Sequence, residues 1–299
     1  MKIAAQRPLA DHASRIWAYL TLTRPANVVT ALADVLAGAA AAGHTAGLPE
    51  LLLSTAALYA GGVVLNDVFD AALDTAERPE RPIPSGRASR GGAAWFGAGL
   101  LAFGILCASL VSAASLALAA AVAAVVLMYD SWAKHRALAG PLAMGTCRGL
   151  NLLLGVSVTP VLLGVLWPLA LMPVAYIAAI TAISRGEVHG GQQPTGWLAV
   201  GLVGIVLTVL VALGLARRQP DLAVLPFATL LAWRVVPPFI AAAREPRPAL
   251  IGRAVRAGVL SLILLDAALA TAFAGPLYGL AVLVLWPLSL GLARLFAVT

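Results

Sequence analysis

Runs of about 20 apolar residues alternate with short polar loops along this chain, the spacing of membrane-spanning helices. They fall at 26–43, 50–66, 91–112, 114–129, 139–159, 163–183, 196–216, 221–242 and 250–274. A tenth, 276–296, follows the Gly275-Pro276 break. No run alternates with period two, as barrel strands would; VAAVVL, for example, is apolar on all sides. The pattern predicts an all-α polytopic membrane protein. Residues 1–299 form a single domain of nine transmembrane helices, with a short N-terminal tail, 1–20, and 276–296 as an added C-terminal apolar segment.

Composition agrees with the pattern. Of 299 residues, 61% are hydrophobic and only 11% charged, less than half the share of a soluble domain. This excludes a soluble enzyme, a disordered chain and a secreted disulfide scaffold. The net charge of +7 raises the question of nucleic acid. The basic residues sit between apolar runs and not on a soluble face, so membrane orientation accounts for them and no nucleic-acid partner is expected. Cys107 and Cys147 lie inside apolar stretches with no metal-ligand spacing and read as inert buried thiols. No cleavable signal peptide is expected, because no small-residue cleavage site follows a short apolar core.

The loops sort by charge. Fifteen arginines and lysines occupy the N-terminal stretch, the loops after even-numbered runs and the start of run nine, whereas the opposite loops hold only Arg217 and Arg218. The positive-inside rule then places the N-terminus and the even loops in the cytoplasm of a multi-pass cell-membrane protein. The acidic residues Asp67, Asp70, Asp74, Glu77, Glu80, Asp130, Glu187 and Glu245 fall at the same ends. A cavity is expected to open to the cytoplasm between the polar loops after runs two and six.

The strongest local signal is LNDVFDAALDTAERPERPIPSG, from Leu65 to Gly86. Asn66, Asp70 and Asp74 recur every four residues, so a continuing helix places them on one face, with Asp67 adjacent. Three such oxygen donors repel unless a hard cation joins them, and Mg²⁺ takes this type of donor together with substrate phosphates. Arg78 and Arg81 follow in a stiff loop with Pro79, Pro82 and Pro84, and guanidiniums grip phosphate oxygens in pairs. The structural alternative is a solvated helix end whose acids pair with those arginines. Tyr129 to Arg136 forms a second small basic cluster on the same side.

The run NDVFDAALDTAERPERPIPSG resembles the first aspartate-rich motif of the UbiA superfamily of intramembrane prenyltransferases, NDxxDxxxD followed by an RPxRPIPSG-like loop. Arg24-Pro25-Ala26-Asn27 is similar to that family's opening RPxN, and Tyr129 with Lys134 to its tyrosine–lysine element after helix four. The resemblance implies nine helices around a central cavity and a Mg²⁺-dependent reaction. A polyprenyl diphosphate ionises there, and the prenyl group passes to an aromatic or lipid-like, hydrophobic acceptor in the bilayer. By matching motif it implies that Asn66, Asp67, Asp70 and Asp74 bind metal, with Glu187 from the second loop. Asn27, Arg78, Arg81, Tyr129 and Lys134 would bind diphosphate, and Asp70, Asp74 and Lys134 would serve catalysis.

The second loop departs from the family. It is ordinarily a second DxxxD, but here it reads SRGEVHGG from Ser184, with Glu187 as its one acid, and is similar to the EboC-like branch. Arg185 is accordingly expected to replace part of a missing ion's charge on the diphosphate. The departure also leaves open a non-catalytic carrier or scaffold that holds a lipid or prenylated product. Arg148, Asn151, Arg234 and Asp266 lie within apolar runs, where ionisable and polar groups are expensive. An Arg234–Asp266 pair and a cavity-facing Arg148 are the expectations for them.

Overall fold

The structure, a computed structural model, describes residues 7–187, 190–216 and 222–296. Every regular element in it is a helix. The order is α1 (Arg7–Leu22), α2 (Pro25–Ala42), α3 (Leu48–Phe69), α4 (Ala71–Glu77), α5 (Arg90–Ser109), α6 (Ala113–Ser131), α7 (Ala139–Val156), α8 (Leu163–Leu166) and α9 (Leu171–Ser184). Then follow α10 (Gln193–Leu215), α11 (Val224–Arg244), α12 (Pro248–Leu260), α13 (Leu262–Ala274), α14 (Pro276–Leu283) and α15 (Leu285–Leu295).

All ten apolar runs are helical. Among the described residues, nine helical stretches are long and apolar enough to cross a membrane, 276–295 included. The run outside that set is α7, the one that carries Arg148 and Asn151. The outer surface of the bundle suits lipid rather than water: Trp95 and Val161 are each 83% exposed.

Three boundaries differ from the sequence pattern. Run six is preceded by a 3₁₀ turn, Pro160–Leu162, and is itself broken into α8, a second 3₁₀ turn, Trp167–Ala170, and α9. Pro160 and Pro168 lack the N–H that a continuous helix needs. Run nine bends at Ser261, whose N–H reaches both Ala257 O and Gly258 O. The supposed tail is helix α1. It exposes Ile16, Trp17 and Leu20 and buries Ala18 and Leu22, the two-sided character of a helix lying in a membrane interface.

Close approach of backbones sets the middle of the bundle. α7 packs between α2, α6 and α9, and α3 packs along α5. A Cβ on Gly38 would lie 2.1 Å from Leu152 O, and one on Gly155 would lie 2.1 Å from Val35 O. Only glycine permits α2 and α7 to meet this closely, so small residues here serve contact between helices. α15 packs on α2, where the Ser289 hydroxyl donates to Ala26 O at 2.9 Å.

Candidate active site

One cavity of about 450 Å³ opens at the Arg-rich end of the bundle. Asp70, Asp74, Glu77, Arg78, Arg81 and Glu187 stand at its mouth, and Thr55, Leu58 and Tyr59 line its deep end. From Asp70 to Thr55 the α3 wall descends roughly 22 Å at 1.5 Å per residue. Valines, leucines and isoleucines from α6, α9, α12 and α13 clothe the body of the cavity. It is therefore charged at one end and lined below by aliphatic side chains interspersed with Thr55, Tyr59, Arg148 and Asn151.

The acidic face forms across a helix break. α3 ends at Phe69 and α4 begins at Ala71, with Asp70 at the joint. The i to i−4 hydrogen bonds nevertheless continue, from Asp70 N to Asn66 O at 2.9 Å and from Asp74 N to Asp70 O at 2.8 Å. Asn66, Asp70 and Asp74 thus keep one face, and all three line the cavity.

Protein cations hold most of these acids. Lys134 Nζ lies 2.5 Å from Asp70 Oδ1, and Arg81 Nη1 lies 2.8 Å from Asp74 Oδ2. Asp67 faces away from the cavity lining and is buried, with Arg24 Nη2 2.7 Å from its Oδ1. The expectation that Asp67 joins a metal is corrected accordingly: its place is behind the wall, where it anchors Arg24. Arg78 lines the mouth and makes no ion pair among the described residues. Burial pushes the Glu187 carboxyl above the usual carboxylate range, and the positive charge of Arg78 pulls it partly back.

Asn27 and Tyr129 line the cavity. Arg185 does not. Its guanidinium donates to the main-chain carbonyls of Lys134, at 3.2 Å, and of Arg136. It ties two loops together, so its charge is spent on backbone and the stand-in role expected of it is not the geometry seen. Lys134 also stands outside the lining, reaching the site through Asp70. Val188 and His189, within the second-loop signature, lie outside the described residues, as do Arg217 and Arg218.

Three wall residues escaped the sequence reading as site residues: Arg24, Asp130 and Thr55. Arg24 is the only described non-glycine residue with positive φ, 46°, immediately before α2. Such strain persists where surrounding contacts enforce it, and here the Asp67 contact does. Arg148 does line the cavity, as expected, but an Arg234–Asp266 pair does not form. The Arg234 guanidinium sits 5.7 Å from the Trp286 ring centroid, and Asp266 is buried with its Oδ2 lacking a hydrogen-bond partner among the described residues.

Among the described residues no three acidic, histidine or cysteine side chains converge into a ready-made metal cage. The donors at the mouth are carboxylate and amide oxygens, the type a hard cation takes. Mg²⁺ is commonly held by one or two carboxylates plus substrate phosphates, so this set fits it.

The fold defines a polytopic helical membrane protein whose cavity carries carboxylates and arginines at one end. Residues 27–243 match the UbiA prenyltransferase family, and the chain belongs to that family. It is 31% identical over 218 residues to the digeranylgeranylglyceryl phosphate synthase of Methanoculleus marisnigri, covering 70% of this chain and 77% of that protein. It is 33% identical over 218 residues to the synthase of the same name from Methanothrix thermoacetophila, covering 66% and 80%. Among solved structures, a UbiA homologue from Archaeoglobus fulgidus bound to GPP and Mg²⁺ superposes with a TM-score of 0.62 at 16% identity, over 89% of this chain and 99% of that one.

Proposed function

We propose that this prenyltransferase transfers a polyprenyl group from its diphosphate to a hydrophobic acceptor, with Mg²⁺ held at the cavity mouth by Asn66, Asp70 and Asp74. The observation that carries this reading is the joint geometry of the cavity. Carboxylates and arginines share its mouth, and an apolar channel runs beneath them. When bound, Mg²⁺ supplies positive charge to the leaving diphosphate.

The protein's own residues supply the rest. Arg78, which makes no ion pair among the described residues, would take diphosphate oxygens, and Arg81, paired with Asp74 at 2.8 Å, stands beside it as a second guanidinium for them. Lys134 holds Asp70 in place and adds a cation close to the leaving group. The allylic C–O bond breaks with its electron pair passing to diphosphate. The apolar wall excludes water until the acceptor's nucleophilic atom forms the new bond and loses its proton. The acceptor is an aromatic ring or a lipid-like alcohol, in keeping with the archaeal relatives' names. The Arg-rich end faces the cytoplasm of the cell membrane, by the charge asymmetry of its loops.

The test is turnover in liposomes with radiolabelled prenyl diphosphates of several chain lengths and a panel of isoprenoid glyceryl and aromatic acceptors. Label is expected in the acceptor, with release of inorganic diphosphate and loss of both under chelation. Tight retention of prenyl ligand with no transfer to any acceptor gives the carrier reading instead.

A further inference from the structure

Four aspartates gather near the cavity mouth, and three of them have a protein cation. Asp67 has Arg24 at 2.7 Å, Asp70 has Lys134 at 2.5 Å and Asp74 has Arg81 at 2.8 Å. The fourth, Asp130 near the end of α6, has none. It is 2% exposed and lines the cavity. Its Oδ1 accepts a hydrogen bond from Asn66 Nδ2 at 2.7 Å, whereas its buried Oδ2 has no hydrogen-bond partner among the described residues.

The chain offers Asp130 a partner and then places it elsewhere. Lys134 is four residues on, where a continued helix would stack it over Asp130. Instead α6 ends at Ser131, the 3₁₀ turn Ala133–His135 follows, and Lys134 goes to Asp70. A buried carboxylate oxygen without a donor is costly, and it persists where something outside the protein completes it. The Asn66 amide points the same way. With Nδ2 committed to Asp130, its Oδ1 is the end left for a cation.

The second loop cannot fill this need alone, since it contributes one carboxylate, Glu187, and diverts Arg185 to backbone carbonyls. We propose that Asp130 is a further cation ligand of this site, its Oδ2 joining Asn66 Oδ1 on a divalent ion and supplying a carboxylate that the second loop lacks. This rests on the metal-dependent reading above. It makes α6, rather than the loop after α9, the second acidic wall of the metal site.

The experiment uses the full chain in lipid nanodiscs, with Mn²⁺ titrated in the presence of inorganic diphosphate and free Mn²⁺ followed by its electron paramagnetic resonance. Asp130→Asn is expected to weaken Mn²⁺ at least tenfold, comparably to Asp74→Asn. A second variant, Asp130→Cys in a chain with Cys107 and Cys147 changed to serine, is expected to bind Cd²⁺ with a thiolate-to-cadmium charge-transfer band, because soft thiolates select soft metals. A residue that merely supports the fold gives no such band, and this variant decides the matter if Asp130→Asn does not fold. Mn²⁺ binding by Asp130→Asn within twofold of the parent, or absence of the cadmium band, overturns the inference. If Asp74→Asn still loses Mn²⁺ in that case, the proposed function stands. No Mn²⁺ binding by the parent chain overturns both.

Discussion

Two clusters in this bundle use the same residue types and behave oppositely. At the mouth, Asp70 and Asp74 pair with Lys134 and Arg81 by single contacts, on side chains 6–22% exposed. In the middle of the bundle, Asp34 is held on both oxygens: Arg148 Nη2 reaches Oδ1 at 3.0 Å, while Arg148 Nε and Asn151 Nδ2 reach Oδ2 at 3.0 and 2.9 Å. Thr30 O accepts from Arg148, and the Thr55 hydroxyl donates to Asn151 Oδ1 at 2.5 Å. Asp34 is 0% exposed and Arg148 4%. The lesson is that partner count, not residue identity, separates a strut from a site. The inner pair has little to exchange, whereas the outer acids can trade a protein cation for a metal and their arginines for a diphosphate.

That contrast breaks most visibly at Arg148. Arg148→Ala leaves Asp34 buried and uncompensated, and about 3–5 kcal/mol of stability is expected to be lost. Thermal unfolding in detergent, scored by loss of the monodisperse species, measures it; a melting temperature near the parent's would make the inner pair dispensable. Asp74→Asn inverts the pattern. Transfer is expected to fall by roughly 10²–10³, the scale of losing one electrostatic stabiliser, with the melting temperature nearly unchanged.

Arg185→Ala tests the loop tie. It removes hydrogen bonds to two exposed carbonyls and is expected to cost about 1 kcal/mol of stability while diphosphate affinity stays within twofold. A large affinity loss would return Arg185 to the site. The smallest effect is expected at Glu187. Its proton is held more tightly in the folded chain than in the unfolded one, so its contribution to stability is present at low pH. It is lost as pH rises from the ordinary glutamate value of 4.5 through the raised one. Melting temperatures across that window are expected to slope downward more in the parent than in Glu187→Gln.

Much of this was readable in the chain. Ten apolar runs became ten helical runs because length and hydropathy report directly on bilayer burial. The face shared by Asn66, Asp70 and Asp74 was readable because four-residue spacing survives the break at Asp70. Pairings were not. Arg24 with Asp67 spans 43 residues and Arg148 with Asp34 spans 114, and periodicity says which face a residue occupies, not which neighbour meets it. The tie of Arg185 to the Lys134 and Arg136 carbonyls was not readable, because a charge beside a motif looks the same in sequence whether it meets a ligand or a carbonyl. Asp130 was counted only as one more acid at the Arg-rich end, since a missing partner is visible only once every helix is in place.

The long reach of the inner pair also sets an order of events during synthesis. Asp34 leaves the ribosome 114 residues before Arg148. At 5–20 residues per second it waits roughly 6–23 s for its counterion. Over that interval the first apolar run carries an acid that lipid alone does not satisfy. α2 must therefore hold back at the interface or lean on the insertion machinery until α7 arrives. Even then its seat is incomplete, because Ser289, which donates to Ala26 O, is made 263 residues after it.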